Sequence, residues 1–249
     1  MALFKSGNPA LGNSTFQKLY NTATSQSDVM TLEGTVNKTI TLLIILISAS
    51  GFSWWVMGSN PVLAMPLIIG GAIGGLICAI ILAFNKSIAP IVAPIYAVLE
   101  GLFLGAISGM YEYLYEGIVF SAIILTFGIA FCLLMIYKMR LIKVTENFKL
   151  IVASATAGIA LFYLVAFVLS LFHVHIPLIH SNGPIGIIFS LVVIAIAAAN
   201  LVMDFDFIEN GAEMRVPKYM EWYAAYGLMV TLVWLYLEIL RLLSKLRSR

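Results

Sequence analysis

Seven apolar stretches, each long enough to cross a bilayer, occupy the chain almost continuously from Thr39 to Leu243. A spanning helix needs about 20 mostly apolar residues at 1.5 Å each. In lipid, the backbone polar groups of such a segment must also be satisfied internally. The runs are continuous rather than alternating, which argues against transmembrane strands. They place the spans at 40–57, 63–84, 91–110, 117–137, 150–172, 185–207 and 219–243. The chain is therefore expected to be all-α, a polytopic membrane protein with seven helices in a bundle. An apolar share of 61% and a mean hydropathy of +1.01 agree.

Seven helices with short connections leave no room for a soluble domain in 249 residues. The expected organisation is a polar N-terminal segment (1–38), the transmembrane domain (39–243) and a basic tail (244–249). The first segment lacks an apolar core near its start, so no cleaved signal peptide is expected. Gly58-Ser59-Asn60-Pro61, Asn85 to Pro90 and Ser181-Asn182-Gly183-Pro184 supply turns between spans. Lys5, Lys18, Lys38, Lys86, Lys138, Arg140, Lys143, Lys149, Arg215 and Lys218 all fall on one side of the predicted topology. The opposite loops carry Glu112, Glu116 and three histidines. The positive-inside rule then puts the N-terminus in the cytoplasm. Arg241, Lys245, Arg247 and Arg249 run against this pattern, since seven full crossings would leave them outside. Trp54 and Trp55 mark the outer interface, as would Trp234 and Tyr236 if the last helix crosses fully.

Function should lie with the acids inside the spans, because ionisable groups are costly in lipid. Asn200 and Asp204 are four apart near the end of the sixth span and share one helical face. Asp204 lies about a turn inside the membrane boundary, where ionisation is costly without a cation or donor nearby. Asp206, Glu209 and Glu213 fit a solvated acidic face at the water boundary. In a hairpin turning near Ala212, Asp204 and Glu221 are about equally far from the turn and can face each other. Glu238 either pairs locally with Arg241 at i+3 or, if residues 219–227 lie along the surface, moves toward mid-membrane. Glu100 is the deepest acid and must be protonated, paired or facing a wet cavity. The glycines after it (Gly101, Gly105, Gly109) admit a close neighbouring backbone, which turns Glu100 toward the bundle interior.

Other groups carry less. His173, His175 and His180 crowd one outer loop as ordinary loop residues, with metal binding or acid sensing the alternative. Cys78 and Cys132 sit in apolar runs without metal-ligand spacing and fit as packing residues. No nucleophile–base constellation, HExxH, P-loop or dinucleotide fingerprint is present. No enzyme activity, resident cofactor or nucleic-acid partner is expected. The seventh span contains no lysine, which excludes a retinal Schiff base.

Four strings carry a resemblance: Ser6-Gly-Asn8-Pro9-Ala10-Leu11, Ala93-Pro94-Ile-Tyr96-Ala-Val-Leu-Glu100-Gly101, Met203-Asp204-Phe-Asp206-Phe-Ile208, and Trp234-Leu-Tyr236-Leu-Glu238-Ile-Leu-Arg241-Leu. Together they resemble the Bax inhibitor-1 family, in its bacterial, YccA-like branch, over nearly the whole chain. The resemblance implies seven helices with one enclosed by the others. It also implies a pH-sensitive calcium leak controlled by two aspartates, on the sixth and seventh helices. Asp204 matches the first. For the second, the local string points to Glu238 and hairpin geometry to Glu221, and either replaces the family's Asp by Glu. Asp206 stands where many members carry Gln.

The resulting expectation is a cation leak, with Ca²⁺ as cargo, gated by coupled carboxylates. Asp204, Glu238, Glu221 and Asp206 are the gate candidates, and Glu100 and Asn200 the path candidates. Two acids sharing a site titrate as a pair: with one proton retained they hold the helices together, and its loss at higher pH separates them. The alternative is an interaction protein whose segment Ser6–Lys38 engages a membrane-bound protease, as the resemblance also allows. A multi-pass location follows, in the inner membrane if the chain is bacterial.

Overall fold

The computed structural model describes residues 29–172 and 183–248. The Asn-Pro-Ala-Leu head, the three loop histidines and the turn residues Ser181 and Asn182 lie outside the described residues. Seven long helices follow in order: α1 (Leu32–Ser59), α2 (Ala64–Phe84), α3 (Ala89–Leu114), α4 (Ile118–Lys138), α5 (Glu146–Leu171), α6 (Pro184–Glu213) and α7 (Met220–Arg247). Short 3-10 turns at Pro61–Leu63 and Lys86–Ile88 join the first three. Each helix, with its adjoining 3-10 turn where there is one, is long and apolar enough to span a membrane. Among the described residues the extended pairing is confined to one bridge, Val29 with Pro217.

Several ends follow from local chemistry. Thr31 caps α1 by accepting from Gly34 N at 2.9 Å, and Thr145 caps α5 by accepting from Phe148 N at 3.2 Å. Gly117 turns the chain into α4 at φ 76°, a region that costs glycine nothing. The first helix begins eight residues before the expected span at 40. Glu33, Asn37 and Lys38 look like a polar loop, yet they occupy its first turns. The last helix likewise runs to Arg247, beyond the expected end at 243.

The chain divides into two compact units, and α6 and α7 each contribute to both. The amino unit holds residues 29–116 and 206–230; the carboxy unit holds the described residues of 117–205 and 231–248.

In the amino unit, α3 is clamped between α1 and α2 through glycines. A methyl group at Gly101 would come within 2.5 Å of Leu46 O, and one at Gly105 would overlap the Ser50 carbonyl. Here the predicted close approach finds its partner, α1. Ser53 Oγ then donates to Leu102 O at 2.7 Å. On the other flank, a methyl at Gly71 would meet Leu99 O at 2.7 Å. The start of α7 lies beside the starts of α1 and α3: Lys38 Nζ stands 5.2 Å from the Trp222 ring centre, and Lys86 Nζ 5.2 Å from that of Tyr223. Hence α1, α3 and α7 all leave from one end.

In the carboxy unit, Val152 is the buried residue of α5, and Leu161, Leu164, Phe167 and Val168 are exposed. Such a surface is stable only where the solvent is itself apolar, because lipid tails are as apolar as leucine. By contrast, α7 has no exposed residue from Met220 to Lys245, although its mean hydropathy is the lowest of the seven. A stretch with no exposed residue need not be apolar throughout and can carry two glutamates, an arginine and a lysine. Trp234 and Tyr236 lie half-buried on it, unlike Trp55, which is 67% exposed.

Candidate functional site

The α6–α7 seam of the carboxy unit is fixed at two heights. Toward the end of α6, Asp204 shares a side-chain hydrogen bond with Thr231 of α7. Toward its start, the Lys245 ammonium donates to Gly186 O at 3.0 Å and Ser190 Oγ at 2.9 Å. Asp204 lies 14 residues after Ser190, and Thr231 lies 14 before Lys245, so the helices run antiparallel in one unbroken register.

That register decides which acid reaches Asp204 in this unit. It sets Glu238 level with Ala197, seven residues beyond Thr231. At 1.5 Å per residue Glu238 is about 10 Å along the axis from Asp204. Each acid is also engaged elsewhere. Glu238, 2% exposed, accepts from Tyr163 Oη at 2.9 Å and from Arg241 Nη1 at 2.9 and 3.1 Å. The Arg241 guanidinium also lies 5.1 Å from the Tyr163 ring centre. Among the described residues no hydrogen bond joins Asp204 to Glu238. The local i+3 pair with Arg241 has formed.

Glu221 belongs to the amino unit and is 1% exposed. Its Oε1 accepts from Thr31 N at 3.0 Å and Thr31 Oγ1 at 2.9 Å. The carboxylate thus sits at the positive end of α1, where a negative charge is favoured. Gly34 makes the approach feasible, since a methyl there would overlap the carboxyl group.

Asp204 is left in a different state. Thr231 satisfies one side of its carboxyl group, while Oδ2 is buried with no hydrogen-bond partner among the described residues. A buried polar atom without a partner costs about 1–3 kcal/mol, more when charged. One turn earlier, Asn200 Nδ2 donates to Thr156 Oγ1 of α5 at 2.7 Å and to Ile196 O at 2.9 Å. Asn200 therefore ties α6 to α5, and Asp204 ties it to α7. Asp206 lies about 200° around the helix from Asp204 and belongs to the amino unit; its carbonyl accepts from Asn210 Nδ2 at 2.7 Å. Glu100, in the middle of α3, shares a hydrogen bond with Tyr96 and lies under Gly75 of α2. The cysteines are free, with Cys78 buried and Cys132 exposed.

Sequence reasoning missed Thr231, Tyr163, Thr31 and Lys245. Thr231 and Glu238 share a helical face at i, i+7, which offered a weak signal. Nothing local marks Lys245 as an inward residue.

The family model described as "Bax inhibitor 1 like" matches residues 8–248. No curated protein and no solved structure matches the chain.

Proposed function

Because the chain belongs to the Bax inhibitor 1 like family, we propose that it is a pH-sensitive cation leak, with Ca²⁺ as cargo, gated by acids on α6 and α7. The observation that carries this reading is the buried Oδ2 of Asp204 on a helix seam, without a hydrogen-bond partner among the described residues. With a proton, the Asp204 carboxyl is neutral and its bond to Thr231 holds α6 against α7. Without it, a negative charge stands in a lipid-shielded interior at a cost of about 3 kcal/mol. That is enough to move a two-state gate by roughly a hundredfold. The seam relaxes to hydrate the charge, and a cation can follow.

Coupling to the second acid is electrostatic in this reading. Two charges about 10 Å apart interact by about 1.7 kcal/mol at an effective dielectric constant of 20, and Arg241 offsets part of that for Glu238. The gate is therefore keyed on Asp204, with Glu238 as a modulator. Calcium takes six to eight oxygen ligands in a flexible arrangement, so carboxylates act as transient contacts for the passing ion.

Calcium flux into liposomes across a pH series tests the reading. Wild type should leak more as pH rises, and Asp204→Asn should stay low and flat. Glu238→Gln should shift the midpoint modestly. An Asp204→Asn profile that follows wild type would refute the gate.

A further inference from the structure

The amino unit lines up five side chains that the Asp204 gate does not use. Lys86 stands at the start of α3 with its ammonium 5.2 Å from the Tyr223 ring centre. Tyr223 and Tyr226 are successive on one face of α7, 6.3 Å apart between ring centres. Tyr226 meets Tyr96 of α3 edge to face at 4.9 Å, and Tyr96, 7% exposed, is hydrogen-bonded to Glu100. Since α3 and α7 leave from the same end, each step moves further from the Lys86 end. Glu100 lies 11 residues into α3, about 16 Å of helix from Ala89.

From this row of side chains we propose that Glu100 is a proton-binding site in exchange with water at the Lys86 end, along a path lined by Tyr223, Tyr226 and Tyr96. A phenol hydroxyl can accept one proton on oxygen while releasing its own. The net change is therefore one proton moved from water to the Glu100 carboxylate, leaving a neutral carboxylic acid and every tyrosine as it began. The reverse transfer returns the proton, and no oxidant or other reactant is consumed. The Lys86 ammonium over the Tyr223 ring favours transient negative charge on the outermost phenol.

The surroundings suit a proton better than a resident metal ion. From α2, Gly75 leaves the space the carboxyl occupies: a methyl there would sit 3.2 Å from Glu100 Oε2 and 3.6 Å from Tyr96 Cε2. Cys78 of the same helix is near enough to interact electrostatically with Tyr96 and Tyr226. Tyr226 of α7 interacts likewise with Glu100. From α1, which lies along Gly101 and Gly105, no titratable side chain occurs between Ile40 and Met57. One carboxyl, phenols and a thiol make a sparse ligand set for a divalent cation, which prefers several oxygens.

The site stands apart from the cation leak, and infrared difference spectroscopy on the full chain in liposomes tests it without measuring flux. A protonated-carboxyl C=O band should respond to pH and vanish in Glu100→Gln. Tyr96→Phe should raise its frequency by removing the hydrogen bond. On transfer to D2O, the band should exchange about tenfold or more slowly in Tyr226→Phe and Tyr223→Phe than in wild type. The Phe variants keep the ring packing, so they answer the question even if Glu100→Gln fails to fold. An unchanged carboxyl spectrum in Glu100→Gln, or wild-type exchange in both Phe variants, would overturn the proposal.

Discussion

One oxygen of Glu221 accepts from both hydrogen-bond donors of Thr31, 190 residues earlier in the chain, at 3.0 and 2.9 Å. The start of the first helix is thus fixed by the first turn of the last one. Gln at 221 keeps an acceptor but loses the charge at the helix end, so Glu221→Gln should cost about 0.5–1 kcal/mol. Glu221→Ala orphans the Thr31 N–H and should cost about 1–3 kcal/mol. Thermal unfolding in detergent should rank them in that order, and equal losses would remove the charge contribution.

At the other end of α7, Lys245 is 3% exposed and bonded to the first turns of α6. A cation fixed there opposes cation entry along the seam. Lys245→Met removes the charge while keeping much of the stem, and should raise calcium leak severalfold at fixed pH, equivalent to about 1 kcal/mol. A leak no higher than wild type would exclude Lys245 from the barrier.

The α1–α3 contact depends on the absence of side chains at two positions. Gly105→Ala drives a methyl into the Ser50 carbonyl, and backbone cannot yield as a side-chain tip can. It should cost about 1–3 kcal/mol. Gly70→Ala meets nothing within 4 Å and should be neutral. The pair distinguishes a steric cost from a general intolerance of alanine in these helices, read as the difference in melting temperature.

Removing residues 1–28 separates the leak from the alternative of partner capture. All the groups invoked for the gate lie beyond this segment, so liposome flux should survive its deletion with an unchanged pH profile. Loss of flux would move the function toward the N-terminal segment.

The seven spans were legible because a lipid-facing helix must be continuously apolar, and the stripe from Gly101 to Gly109 was legible because close backbones leave no alternative residue. Glu238 with Arg241 was open to inspection as an i+3 pair. What the sequence hid was long-range. Glu221, 190 residues away, braces the Thr31 cap before Leu32, and nothing local announces it, so the polar first turns passed for a loop. The basic residues near the end conflicted with the charge rule for the same reason. Arg241 is paired with Glu238 and Lys245 is turned inward, so neither counts as a free flanking charge. The partner of Asp204, a threonine among apolar neighbours, carries no charge by which to be noticed.

The charged side chains buried along α7 have a consequence for how the protein is made. This helix leaves the ribosome after the other six and is the least able of the seven to partition into bilayer alone, since two glutamates, two arginines and a lysine lie along it. It needs partners already in place on preceding helices: Thr31 for Glu221 within the amino unit, and Tyr163, Gly186 and Ser190 for Glu238 and Lys245 within the carboxy unit. Insertion of α7 is therefore an assembly step, and a nascent chain halted before Met220 would leave those partners unmet.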